Sequence, residues 1–170
     1  WKVSNHMSTL SVDTIQGQTT AGTVAMPAGA MLQVVQTHVT AYTTTSSSSN
    51  SSTGLTVAIT PKFSSSKVLI TGNINGCYSN AATRYARYEL FKGGSFLVYL
   101  HHLVGYAHTN DEINYGVDWS FSYLDSPNTT SATTYDLQWS AHNGGNSYFN
   151  NYGSSNNTTR STITAYEIAG

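Results

Sequence analysis

The chain has 170 residues, of which 9% are charged, and a formal net charge of -1; an average globular protein carries roughly 25% charged residues. That length suits one domain with a real core and leaves little room for two, and the near-neutral balance supplies no field to draw the chain to nucleic acid or an anionic membrane. Twelve Tyr, only three Pro, abundant Ser and Thr, and no Ala/Leu/Glu/Lys-rich run argue against disorder and against helix, and for an all-β protein.

The single cysteine, Cys77, excludes an intrachain disulfide and a cysteine-based zinc cluster. No apolar run approaches the roughly 18 residues of a membrane span, and there is no charged-then-apolar leader. Neither membrane insertion nor secretion is expected. Four Asn-x-Ser/Thr sequons, at Asn50, Asn128, Asn156 and Asn157, are then expected to stay unmodified.

Trp1–His6 does not look native: His6-Met7 is what a common cloning site leaves, and Met7-Ser8-Thr9-Leu10 reads as a natural start. Residues 1–6 are therefore set aside and the remainder is expected to be a complete small gene product. Residues 7–30 form an extended N-terminal arm with Leu10, Val12 and Ile15 as its anchors and Gly17, Gly22, Pro27 and Gly29 as breakers. Such a sparse segment becomes ordered only against something else, and the arm is expected to attach to a virion or interleave with identical subunits through Leu10, Val12 and Ile15. A floppy tail is the alternative.

Residues 31–170 are expected to form the head, a jelly-roll-like antiparallel β-sandwich of about nine strands at regular spacing. From Met31 to Tyr42 the apolar alternation changes phase, Leu32/Val34 and then Val35/Thr37/Val39/Ala41, which is the mark of a β-bulge. Thr43–Thr53 is low-complexity and reads as a loop without packing content. Leu55/Val57/Ile59 is a short strand closed by Pro61, and Lys67–Gly76 follows with Val68, Ile70 and Ile74 inward. Arg84–Lys92 and Ser95–Val104 flank Gly93-Gly94, a pair that fits a tight hairpin. Phe96–Val104 is apolar on both faces, so it is either central between two layers or faces a partner subunit; Leu97, Tyr99 and Leu103 are the candidate seam residues. Three further strands, Tyr115–Leu124, Tyr135–Ala141 and Ser161–Ile168, alternate strictly, with Trp119, Phe121, Tyr123, Tyr135, Leu137 and Trp139 on their apolar faces. The loops between them, Asp125–Thr134 and His142–Thr159, are expected to be free to vary.

No enzymatic signature is present: there is no nucleophile elbow, His-Glu-x-x-His or P-loop. The carboxylates are scattered, and the contiguous Asp111-Glu112 pair reads as a solvated turn, although a glycosidase-like pairing in space is the alternative. His101 and His102 alternate across a strand and cannot share one ion within a chain; a three-fold axis gathering three copies of one of them is the alternative to ordinary strand-end histidines. No metal site or cofactor is expected. Arg84 and Arg87, with Tyr85 and Tyr88, are too few for a nucleic-acid footprint and are expected to form cross-strand ion pairs. Loop aromatics among Gly, Asn and Ser supply rigid contact area beside adaptable hydrogen bonding; Tyr106, His108, Tyr148, Phe149 and Tyr152 are the candidate receptor-binding residues.

Several blocks carry a resemblance: Met7-Ser8-Thr9-Leu10-Ser11-Val12-Asp13-Thr14-Ile15-Gln16, Gly54-Leu55-Thr56-Val57-Ala58-Ile59-Thr60-Pro61, Ser66-Lys67-Val68-Leu69-Ile70, and Ile163-Thr164-Ala165-Tyr166-Glu167-Ile168. In these the chain resembles the small tail-fibre or receptor-binding proteins of marine and cyanobacterial tailed phages. The resemblance implies a homotrimer located in the virion tail, contacts to other tail or baseplate proteins, and binding to a bacterial surface glycan or protein. It implies no catalytic residues. A purely structural decoration or adaptor protein is the second reading, and a glycan-cleaving tailspike-type enzyme the third.

Overall fold

Ten strands and no helix make up the described part of the chain. The computed structural model describes residues 26–79, 84–105, 116–151 and 159–170, with the side chains of Arg84 and of residues 102–105 excepted. The strands are β1 (Met31–Val39), β2 (Thr43–Thr45), β3 (Ser51–Ile59), β4 (Lys67–Ser79), β5 (Arg84–Lys92), β6 (Ser95–Gly105), β7 (Val117–Asp125), β8 (Thr133–His142), β9 (Ser147–Phe149) and β10 (Ser161–Ile168). They form two antiparallel sheets packed as a sandwich. One is four-stranded, β3-β8-β5-β6; the other is six-stranded, β1-β10-β4-β9-β2, with β7 on the other side of β4. Among the described residues no helix is long and apolar enough to cross a membrane.

The alternation seen in the sequence explains the packing. Leu55, Val57 and Ile59 of β3, Val68, Ile70 and Ile74 of β4, Tyr135, Leu137 and Trp139 of β8 and Ile163 and Ala165 of β10 all point inward and are buried. Burying each large side chain contributes about 1.5–3 kcal/mol, so a single layer of these residues holds the two sheets together. The expected one-residue phase change in β1 is real but lies earlier in the strand. The register slips between Met31 and Gln33, which makes Leu32 the extra residue, turns Val35 to the core and leaves Val34 outside.

Two segments that read as loops are structural. Thr43–Thr45 pairs with β9, Ser47 accepts a backbone bond from Ala141, and Thr53 is buried with its hydroxyl donating to the Leu137 carbonyl at 2.8 Å. Within His142–Thr159, β9 and the buried Asn150 and Asn151 belong to the sheet. Sequence reasoning missed both because these strands are only three residues long, too short for a period of two to show.

Gly93 and Gly94 have φ of 55° and 83°, the left-handed pair that a two-residue hairpin requires. Beyond the turn, β6 slips twice against β5: Phe91 pairs with Phe96 but Leu90 with Val98, and Glu89 pairs with Tyr99 but Tyr88 with His101. Leu97 and Leu100 are thus bulge residues. Among the described strands β6 lies at the sheet edge, and the two bulges rotate its side chains, so that Leu97, Val98 and Leu100 all lean partly on the core.

The registers give the sandwich two distinct poles. At one, Met31, Ile59, Lys67, Lys92, Ser95, Asp125, Thr133 and Ile168 begin or end their strands. The chain enters and leaves here: Gly29 donates to the Ala169 carbonyl and Ala169 to that of Ala30, both at 2.8 Å. Lys92 and Asp125 bridge the sheets at this pole at 2.9 Å. Asp125 also accepts from the Tyr135 hydroxyl, whose ionisation is pushed up by burial and then by the carboxylate. At the far pole lie Val39, Ser51, Ser79, Arg84, Gly105, Val117, His142 and Ser147.

Candidate functional site

The sequence-derived candidates separate widely. Tyr106, His108 and Tyr152 lie outside the described residues, as do Leu10, Val12, Ile15, Asp111 and Glu112, and the side chains of Leu103 and His102 are likewise not described. Phe149 is completely buried and packs edge-on against Trp139. It belongs to the core and is not available to a receptor. Tyr148, its neighbour on β9, points the other way and stacks on Tyr78 with centroids 4.3 Å apart and planes 3° from parallel. His101 faces Trp119 in a stack at 5.0 Å. Among the described residues no group of His, Cys, Asp and Glu is arranged to hold a metal.

The surface with the richest chemistry is the outward face of the four-stranded sheet, where β5 and β6 form its edge. Because Ala86, Tyr88 and Leu90 point inward, Tyr85, Arg87, Glu89 and Phe91 point outward, and the register sets Tyr99 beside Glu89 and Phe96 beside Phe91. Tyr99 is 60% exposed and Phe96 48%. Their rings are 4.7 Å apart, and Phe96 meets Phe91 edge-on. The Arg87 guanidinium lies over the Tyr99 ring at 5.3 Å, a cation–π arrangement that attracts the two side chains to each other. Arg87, Tyr99, Leu100 and His101 line a groove of about 510 Å³.

Behind this platform the polar groups are fixed. Glu89 is buried, accepts a hydrogen bond from the Asn50 amide, and lies 3.9 Å from Arg87. Arg87 thus meets a carboxylate two residues along its own strand and, across the strand, the Tyr99 ring. On β8, Asp136 accepts from Ser52 at 2.6 Å and from Gln138 at 2.8 Å. Tyr85 stacks on His142 at 4.8 Å, which extends the aromatic character to the far pole. Both Asp136 oxygens accept from hydroxyl and amide donors, and Glu89 is held between the Asn50 amide and the Arg87 guanidinium, so the arrangement is suited to binding: an aromatic platform with one guanidinium and several fixed amides and hydroxyls beside it.

The buried titratable groups elsewhere are structural. Glu167 points inward at the entry pole and is held below its ordinary value of 4.5. Burial raises it, but hydrogen-bonding groups at Ser66, Gln33 and the Lys62 and Phe63 N–H outweigh that effect. Cys77 is buried against Tyr88 and Trp119, and burial pushes its thiol up to about 11, so little of it is the reactive thiolate at neutral pH.

No protein-family model matches the chain, and no curated protein matches it. Solved structures of similar architecture include the VP2 subviral particle of infectious bursal disease virus, 11% identical with a TM-score of 0.40, covering 81% of this chain and 38% of that one. The Gx strain of the same virus is 13% identical with a TM-score of 0.36, covering 81% and 38%, and its T13 viral particle is 10% identical with a TM-score of 0.35, covering 81% and 36%. The chain thus spans less than two fifths of those viral chains, and the likeness carries no argument about its activity.

Proposed function

We propose that the chain is the head of a virion protein of the fibre type, assembled as a homotrimer, which binds a glycan or protein on a host-cell surface. The observation that carries this reading is the exposed Tyr99–Phe96 platform with Arg87 laid across it beside a groove. Large aromatics are usually buried, and an exposed cluster backed by fixed polar groups is the composition of a binding surface. The polarity of the sandwich supports the same reading. Both described ends of the chain meet at one pole, which leaves the far pole and the β5–β6 face free to be presented. Single glycan contacts are weak, and three identical heads would act together.

The test is adhesion of the purified protein to host cells, with competition by the host's envelope polysaccharide. Binding that Tyr99→Ala and Arg87→Ala abolish supports the proposal; undiminished binding by both variants removes this face from it. Light scattering showing a monomer at micromolar concentration would sink the trimer. A decoration or adaptor role without receptor affinity is the second reading, favoured by the apolar residues exposed on the opposite sheet, and it predicts no adhesion at all.

A further inference from the structure

On the outward face of the six-stranded sheet one row that crosses β1, β10, β4 and β7 is apolar throughout. Val34 pairs with Tyr166, Tyr166 with Leu69, and Leu69 with Leu124, so four apolar side chains lie side by side across four strands. Directly paired residues share a face, and the neighbouring inward row at Val35, Ala165, Ile70 and Tyr123 belongs to the core, which fixes this row as the outer one. Val34 and Leu124, at its two ends, are each 51% exposed. The next outward rows are Gln36, Thr164, Thr71 and Ser122, then His38, Thr162, Asn73 and Ser120. The solvated face of an antiparallel sheet carries polar residues; those two rows obey that pattern, whereas this row and the Met31–Ile168 pair beside it toward the entry pole break it.

The row lies near the entry pole, and the chain that precedes the sandwich arrives there. A turn at Pro27–Ala30, closed by the Ala30 N–H donating to the Pro27 carbonyl at 3.0 Å, reverses the chain just before β1. This turn lies beside β1 and β10, the strands that supply Val34 and Tyr166. The sequence before it holds Leu10, Val12 and Ile15 within otherwise polar surroundings. The stretch from Ile15 to Met26 can span about 40 Å when extended, whereas the row is only about 14 Å across, three strand spacings. A short tether of this kind gives an effective concentration of about a millimolar.

We propose that Leu10–Ile15 of the same chain covers this row, with Leu10, Val12 and Ile15 laid against Val34, Tyr166, Leu69 and Leu124. The N-terminal segment then acts as a strap across the outer face of the sheet. The inference does not depend on receptor binding.

The test is thiol labelling of a Leu124→Cys variant of the full chain, with Val34→Cys as an independent second site. Each is compared with the same variant carrying Leu10→Asp, Val12→Asp and Ile15→Asp. Labelling at least 10-fold faster in the charged variants, with the slow rate of the parent unchanged over a hundredfold range of protein concentration, is the expected result. Equal rates at both sites overturn the proposal. Protection that appears only as concentration rises also overturns it, because a second copy would then be the cover. The buried Cys77 serves as the internal control: its failure to label in every variant shows that the sandwich remains folded.

Discussion

The guanidinium of Arg87 lies 5.3 Å from the centroid of the Tyr99 ring. The two residues are on adjacent strands, and neither is needed by the core. Replacing Tyr99 by Ala removes a side chain that is mostly in water, and such surface changes usually stay within about 0.5 kcal/mol of stability. Adhesion to host cells should fall by about 10-fold or more, since truncating a hot-spot aromatic costs upwards of 1–2 kcal/mol. Arg87→Lys keeps the charge but loses the flat stack and should fall between the parent and Tyr99→Ala. Thermal melts and cell-binding assays on the same preparations separate the two effects.

Asn150 is a structural joint that its sequence context conceals. It is wholly buried with a φ of 60°. Its amide donates to the carbonyls of Val39 and Ala41 at 3.0 and 3.2 Å, and its side-chain oxygen accepts from the Ser161 hydroxyl. It thus ties the end of β1 to the start of β10 at the point where β9 takes over the pairing with β4. Asn150→Ala leaves those buried groups unpaired and forces a left-handed backbone on Ala, so a loss of about 2–4 kcal/mol is expected. Asn150→Gly accepts the backbone and loses only the bonds, and should be the milder of the two in urea denaturation.

Gly72 faces inward on β4, opposite Phe121. A Cβ at this position would stand 2.2 Å from the Phe121 ring, so the ring covers the glycine backbone directly. Gly72→Ala should cost about 1–3 kcal/mol by overpacking. Gly72→Ala with Phe121→Leu should recover part of that loss, because the smaller side chain vacates the space; a double-mutant cycle on urea midpoints measures the coupling.

The stability of the sandwich should depend on Glu167 in acid. Its folded pKa lies below the unfolded one, so its contribution is fully present above the ordinary value and is lost as pH falls through the folded value. Urea midpoints measured from pH 6 down to pH 3 should decline more steeply for the parent than for Glu167→Gln, which cannot titrate. Parallel declines would show that the carboxylate is not the responsible group.

Cys77 should be silent in the native protein. Burial and a thiol pKa near 11 predict that a thiol reagent at pH 8 reacts only upon unfolding, with a rate that rises with denaturant in step with the loss of native signal.

Much of the sandwich is legible in the sequence because its long strands alternate strictly. Tyr135–Ala141 and Ser161–Ile168 appear where their periods place them, and Gly93-Gly94 identifies the hairpin. The face that carries Arg87 and Tyr99 is less legible for a physical reason. From the hairpin alone, uninterrupted pairing would set Arg87 opposite Leu100, but the bulges at Leu97 and Leu100 shift it to His102 and bring Tyr99 within reach of the guanidinium. A bulge inside an all-apolar run leaves no break in the pattern. Phe149 was misplaced for the opposite reason: surrounded by Gly, Asn and Ser it resembles a loop residue, yet β9 delivers it to Trp139. Asn50 supports Glu89 from a serine-rich run in which nothing distinguishes it from its neighbours.

The bonds around Asn150 and Asn151 have an evolutionary corollary. Asn151 donates to the Gly76 carbonyl at 2.8 Å, and Thr159 donates back to the Asn150 carbonyl at 3.4 Å. The chain departing at position 151 and the chain returning at 159 are thereby clamped to each other and to β4. Loop-closure cost grows only slowly with length, so a longer or shorter sequence between positions 151 and 159 adds little to the cost of closing this clamp. A lineage that keeps Asn150 keeps the junction between β9 and β10, whatever the number of residues between 151 and 159.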